Sequence, residues 1–139
     1  MIRNKLHRMR GITLIELMIV IVVLSVLVSV AVPSYREFAA RATRAEAKAA
    51  LLQIATNQER FYLQNSRYTQ NLGDLGFADN ETDTGAYIID VPEADANNYR
   101  AVALYQRADA EAGKCSTFEI DGRGVKRSEP DNDCWTRTN

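Results

Sequence analysis

The sequence predicts an α+β fold: a long, kinked N-terminal α-helix packed on a small antiparallel β-sheet of about four strands, with a disulfide loop near the C-terminus. Three observations carry this. An apolar run, Ile12–Val32, interrupted by one carboxylate, leads into an alanine-rich helix-forming stretch that reaches Leu63. Four short segments of alternating apolar residues follow between Ala86 and Lys126, with turn residues between them. The only two cysteines, Cys115 and Cys134, bracket the C-terminal segment.

The apolar run matches the roughly 20 residues that an α-helix needs to cross a hydrocarbon core. Arg3, Lys5, Arg8 and Arg10 flank its N-terminal end with no acidic residue among them, so the positive-inside rule keeps that end cytoplasmic and sends the remainder across. Glu16 is the anomaly. A carboxylate inside an apolar span costs about 2.5–3.5 kcal/mol on insertion scales and calls for a partner. A cut between Gly11 and Ile12 would create an α-amine four residues away, and the same amine on a neighbouring copy would suit Glu16. An ordinary secretory signal, cleaved near Ser29-Val30-Ala31, is the competing reading; its apolar core would be shorter and would not open on a glutamate.

The basic leader, Gly11, and then Thr13-Leu14-Ile15-Glu16-Leu17-Met18-Ile19-Val20 resemble the class III leader of type IV pilins and secretion pseudopilins. That resemblance implies cleavage after Gly11 by the prepilin peptidase, N-methylation of Ile12, and a role for Glu16 in orderly assembly. The family usually has Phe where this chain has Ile12. On this reading residues 1–11 are a cleaved leader, 12–33 the transmembrane and assembly half of the helix, and 34–139 a periplasmic globular domain that includes the helix's second half.

Composition narrows the chemistry. The formal net charge is −1, and losing residues 1–11 removes four basic and no acidic side chains, which leaves −5. The single histidine, His7, lies in the leader, so the mature chain has no Ser–His or Cys–His nucleophile and no histidine metal ligand. No enzyme activity and no cofactor are expected. On the exported side of a membrane, Cys115 and Cys134 are expected to pair, a link worth about 3 kcal/mol for a loop of this length.

Pro33 removes one backbone donor and crowds the carbonyl of Ser29, so a kink is expected there. From Tyr35 to about Leu63, Tyr35, Phe38, Ala42, Ala45, Ala49, Leu52 and Thr56 recur at three- and four-residue steps, an apolar stripe widened late by Leu51, Ile54, Phe61 and Tyr62. The opposite, polar face carries Arg36, Arg41, Arg44, Lys48 and Arg60. Gln64–Gly85 is read as a connection, with Tyr68, Leu72, Leu75 and Phe77 tucked under the domain.

Strands are expected at Ala86–Val91, ended by Pro92, at Tyr99–Gln106, and at Cys115–Ile120, which turns through Asp121-Gly122-Arg123-Gly124 into Val125-Lys126. Serial short strands imply a meander packed on the helix. Phe61-Tyr62, Arg67-Tyr68-Thr69, and the string from Cys115 through Phe118, Ile120, Asp121, Gly124 and Lys126 to Cys134-Trp135 are similar to PilE-like type IV pilins. Only Pro92–Asn98 and Arg107–Lys114 look individual.

Asp121, Glu129, Asp131, Asn132 and Asp133 offer alternating oxygen donors, but an EF-hand glycine and terminal glutamate are missing, so no metal is expected. Arg123, Lys126 and Arg127 are the candidate DNA contacts, since a handful of cations suffices for phosphate binding. The resemblance implies a structural subunit, a minor pilin, of a type IV pilus serving motility, adhesion or surface attachment. Its partners would be other pilin subunits, the prepilin peptidase and the inner-membrane assembly machinery. It would sit in the inner membrane until extracted into an extracellular filament. The alternatives are a type II secretion pseudopilin and a DNA-binding competence pilin.

Overall fold

The computed structural model describes residues 11–137; the basic leader, including Arg3, Lys5, Arg8 and Arg10, lies outside them. One helix, α1 (Leu14–Asn65), is followed by a 3-10 turn, Leu72–Leu75, and four strands: β1 (Tyr87–Ala94), β2 (Tyr99–Tyr105), β3 (Cys115–Asp121) and β4 (Lys126–Pro130). The chain divides into two compact units, one ending at Arg36 and the other running from Glu37 onward. In the first, α1 continues through Pro33, and its apolar side chains from Ile12 to Val32 are all exposed. Ser25 and Ser29 return their hydroxyls to backbone carbonyls of Ile21 and Val26.

The second unit is an antiparallel meander, in the order β1-β2-β3-β4, packed on α1 from Thr43 onward. Period-2 alternation sends Tyr87, Ile89 and Val91 of β1, Ala101 and Ala103 of β2, and Phe118 and Ile120 of β3 into one core with Ala47, Leu51 and Ile54 of the helix. Each fully buried Leu, Ile or Phe stabilises by about 1.5–3 kcal/mol. The small Ala103 lies between Ile89 and Phe118 in register, which lets the helix approach the sheet centre.

Two expectations are corrected here. Pro92 does not end β1. A register shift between Asp90 and Glu93 absorbs it, and pairing resumes at Glu93↔Arg100 and Ala94↔Tyr99. The strand tolerates proline because β1 is the edge of the four-stranded sheet and its outer side is bridged only farther back, by Glu81 at Ile88. Of the late stripe expected to anchor the sheet, Leu51 and Ile54 are buried as expected but Ala49, Leu52 and Thr56 are exposed, and the thinner early part, Phe38, Ala42 and Ala45, is exposed as well. The buried helix residues are Thr43, Arg44, Ala47, Leu51, Ile54 and Gln58, one position round the helix. Alanines are apolar on both sides of α1, so periodicity alone could not choose between the stripes.

The connection after α1 behaves as expected, with Tyr68, Leu72 and Phe77 packed on the core margin and Leu75 inside it. Asn71 caps the 3-10 turn by accepting from the Gly73 N–H, and Gly76, at φ 82°, supplies the left-handed residue that closes it. Buried Gln58 fixes this connection to the helix, accepting from the Thr69 N–H and donating to the Thr69 carbonyl.

Candidate functional site

Three regions carry the residues singled out in the sequence. At the start of α1, Thr13 occupies the N-cap: its hydroxyl accepts from the Glu16 N–H at 3.3 Å and its carbonyl from the Leu17 N–H at 3.2 Å. Thr13-x-x-Glu16 has the spacing of a capping box, which starts the helix at this point. The Glu16 carboxylate therefore sits in the first turn, at the positive end of the helix macrodipole. Among the described residues, a methyl group built on Gly11 would meet nothing within 4 Å.

The second region is the C-terminal loop. Cys115 and Cys134 form a disulfide with a Cα–Cα distance of 5.9 Å, both fully buried. Around it, Trp135 Nε1–H donates to the Arg127 carbonyl at 2.7 Å, and the Trp135 carbonyl accepts from Lys48 Nζ at 3.0 Å. Burial and the neighbouring Arg44 hold the Lys48 ammonium below the ordinary lysine range. Arg137 reaches Asp131 at 2.9 Å and Asp133 at 2.7 Å, so the two carboxylates weighed as cation ligands are already neutralised by a guanidinium.

The third region is the outer sheet face. One charge from each strand joins an alternating ladder: Glu93 to Arg100 at 2.9 Å, Arg100 to Glu119 at 3.4 Å, and Glu119 to Arg127 at 2.8 Å, with Asp121 3.9 Å from Arg127. The three candidate DNA contacts are thereby separated. Arg127 is held by carboxylates. Lys126, its neighbour on β4 and so on the other face of the strand, lies 5.1 Å over the Trp135 ring. Arg123 sits in the β3–β4 turn, exposed, with no ion pair among the described residues. That turn is organised by Asp121, whose Oδ1 accepts from the Arg123 and Val125 N–H groups at 2.9 Å.

Sequence reasoning missed one pair. Arg44, assigned to the polar face, is buried against Glu111 at 3.2 Å, with side chains 6% and 7% exposed. Burial pushes the Glu111 carboxyl above the usual range, against the pull of Arg44. This ties the individual-looking loop between β2 and β3 to the helix, one residue group before Cys115. The available signal was register: Arg44 stands three residues before Ala47 and seven before Leu51, on the buried stripe. Nearby, burial raises the Tyr87 hydroxyl, which donates to the Cys115 carbonyl at 2.8 Å.

Comparison with known proteins places these features. Residues 33–119 match a family described as type IV minor pilin ComP, DNA uptake sequence receptor, and residues 6–32 match the prokaryotic N-terminal methylation motif. The type IV major pilin protein PilA of Myxococcus xanthus is 34% identical over 97 residues, covering 70% of this chain and 44% of that protein. The type IV major pilin protein PilE1 of Neisseria gonorrhoeae is 36% identical over 87 residues, covering 59% and 50%. The chain thus spans about half the length of these pilins. The type II secretion system core protein G of Klebsiella pneumoniae is 30% identical over 141 residues, covering 94% of this chain and 97% of that protein. An exposed apolar helix opening on a capped glutamate, a four-strand meander closed by a disulfide, and these matches lead to one conclusion: the chain belongs to the type IV pilin family and carries the methylation motif of its prepilins.

Proposed function

We propose that this protein is a structural subunit of a type IV pilus, a minor pilin, whose chemistry is packing rather than catalysis. The observation that carries this reading is the exposed, largely apolar surface from Ile12 to Val32, in which Glu16 is the one charged side chain. Such a surface has two favourable environments, lipid and the same surface of other copies, and moving from one to the other builds a filament. Prepilin peptidase cuts between Gly11 and Ile12, Ile12 is N-methylated, and Glu16 pairs with the new amine of a neighbouring subunit, which offsets the cost of a carboxylate in an apolar setting. Pro33 lacks the N–H that would bond the Ser29 carbonyl and provides a bend. The subunit waits in the inner membrane and leaves it for an extracellular pilus, where the sheet and disulfide loop face the surroundings.

The test is intact mass and N-terminal sequencing of the protein from sheared filaments and from membranes. An N-terminus at Ile12 in the filament fraction is the expected result, and Glu16→Ala is expected to remove the protein from that fraction while leaving it in membranes. A soluble product beginning near Val32 would overturn the reading.

Two observations favour other readings within the family. The near full-length match to a secretion core protein supports a pseudopilin; a lost secretome with intact pili on deletion would establish it. The match over residues 33–119 to a family described as a DNA uptake sequence receptor supports DNA capture. Arg123, Lys126 and Arg127 are its candidate contacts, and salt-sensitive binding weakened by Lys126→Glu or Arg127→Glu would establish it.

A further inference from the structure

The disulfide has two unlike ends. Cys115 opens β3, and both of its backbone groups are held: its N–H donates to the Glu111 carbonyl at 3.0 Å, and its carbonyl accepts from the buried Tyr87 hydroxyl at 2.8 Å. Glu111 is itself pinned beneath Arg44, and both are buried. Cys134 lies instead in the turn after β4, between exposed Asp133 and half-buried Trp135. Its N–H donates to the Ser128 hydroxyl at 3.2 Å, and α1 holds the turn through Lys48, whose ammonium donates to the Trp135 carbonyl at 3.0 Å. Lys48 stands one turn beyond Arg44 on the helix, and burial together with that like charge disfavours its ammonium. One end of the bond is set in the core; the other hangs on a strained cation.

Both sulfurs are fully buried, and thiol–disulfide exchange needs a thiolate to reach one of them, so a segment must lift first. Local opening falls to segments with few buried contacts. The turn that carries Cys134 is such a segment, whereas β3 is paired on both sides. We propose that Cys134 is the exchange site of this disulfide and that Lys48 is the latch over it. When the bond from Lys48 to Trp135 breaks, the turn lifts and presents the Cys134 sulfur. An incoming thiolate bonds to that sulfur, the S–S electron pair passes to the Cys115 sulfur, and the Cys115 thiolate takes a proton from solvent. The products are a mixed disulfide on Cys134 and a thiol at Cys115. Formation of the bond runs the same path in reverse. The reduced Cys134 thiolate attacks a disulfide donor on the exported side and releases one donor thiolate; Cys115 then attacks Cys134 and releases the second, which leaves the donor reduced by two electrons. The exchange is a property of the folded unit and holds whether or not the chain assembles.

The test uses the full-length oxidised chain in detergent, with reduced glutathione as the probe. After brief exposure and trapping with N-ethylmaleimide, peptide mass mapping is expected to find glutathione on Cys134 and maleimide on Cys115. The opposite labelling, or equal labelling of the two, overturns the assignment. Lys48→Met keeps the aliphatic stem and removes the donor. A hydrogen bond from a charged donor shifts the opening equilibrium by roughly tenfold or more, so exchange is expected to speed up about tenfold. Gly122→Ala is crowded just past the opposite end of β3; it weakens the whole unit without touching the latch, and is expected to leave the exchange rate unchanged. If both variants speed exchange alike, the disulfide is reached through global unfolding and the latch falls. The native chain decides the same point by itself, so the result stands even if Lys48→Met does not fold. A rate nearly flat at low urea supports local opening, and a rate that climbs with the full unfolding slope from the start overturns it.

Discussion

Removing the disulfide should cost a substantial part of the second unit's stability. The bond links residues 19 apart, and the loop-closure entropy of such a loop corresponds to about 3 kcal/mol at 25 °C. Nothing in the folded unit offsets this, because the term belongs to the unfolded chain, which gains freedom when the link is cut. Cys115→Ala with Cys134→Ala is the cleanest perturbation. Both sulfurs are fully buried, and alanine introduces no unsatisfied hydroxyl. For a unit of this size, 3 kcal/mol corresponds to a fall in Tm of roughly 12–25 °C. The assay is thermal and urea unfolding of the full-length protein in detergent, followed by the fluorescence of Trp135, the only tryptophan, which packs edge-on to Phe118 at 5.6 Å. A loss below about 1 kcal/mol, the size of an ordinary single substitution, would refute the reasoning and mean that the reduced, unfolded chain is already restricted.

Further outcomes follow from the same packing. Glu111, with its carboxyl raised by burial, binds a proton more readily folded than unfolded; its contribution is fully present below the unfolded value of 4.5 and lost as pH rises through the folded one. The unit therefore gains stability from this group as pH falls through the folded value toward 4.5, and urea midpoints of Glu111→Gln should lack that component. Gly122→Ala puts a methyl group 2.7 Å from Asn98 Oδ1 and 3.2 Å from the buried Tyr99 ring; overpacking of this kind costs about 1–3 kcal/mol, readable as a lower urea midpoint. Glu119→Gln cuts the centre of the sheet's charge ladder. Stability should change by no more than about 1 kcal/mol, since the partners are exposed, while released Arg100 and Arg127 should strengthen salt-sensitive binding to duplex DNA. Unchanged binding in a filter or anisotropy assay would mean that the ladder does not mask a phosphate site.

Much of this protein was legible before any coordinates. A largely apolar run of 21 residues with one carboxylate, preceded by a basic leader, has few physical meanings, because a charge in such a run is retained only against its desolvation cost. The strands at Tyr87, Tyr99 and Cys115 were readable because period-2 alternation of Tyr, Ile and Val is a strong local signal. Two cysteines in an exported chain left one pairing to expect.

Tertiary structure decided what local pattern left degenerate. Which helix stripe meets the sheet depended on where Tyr87, Ile89 and Phe118 could seat Leu51 and Ile54, because alanine marks neither side. Arg44 became a core residue only because Glu111, 67 positions later, arrives beside it. Pro92 stayed within β1 because that strand ended up at the sheet edge. Arg127 and Lys126, adjacent in sequence and alike in charge, went to opposite faces, one to a carboxylate ladder and one to an indole. Charge, periodicity and spacing are local quantities and were read from the chain; partners are long-range, and only the fold assigned them.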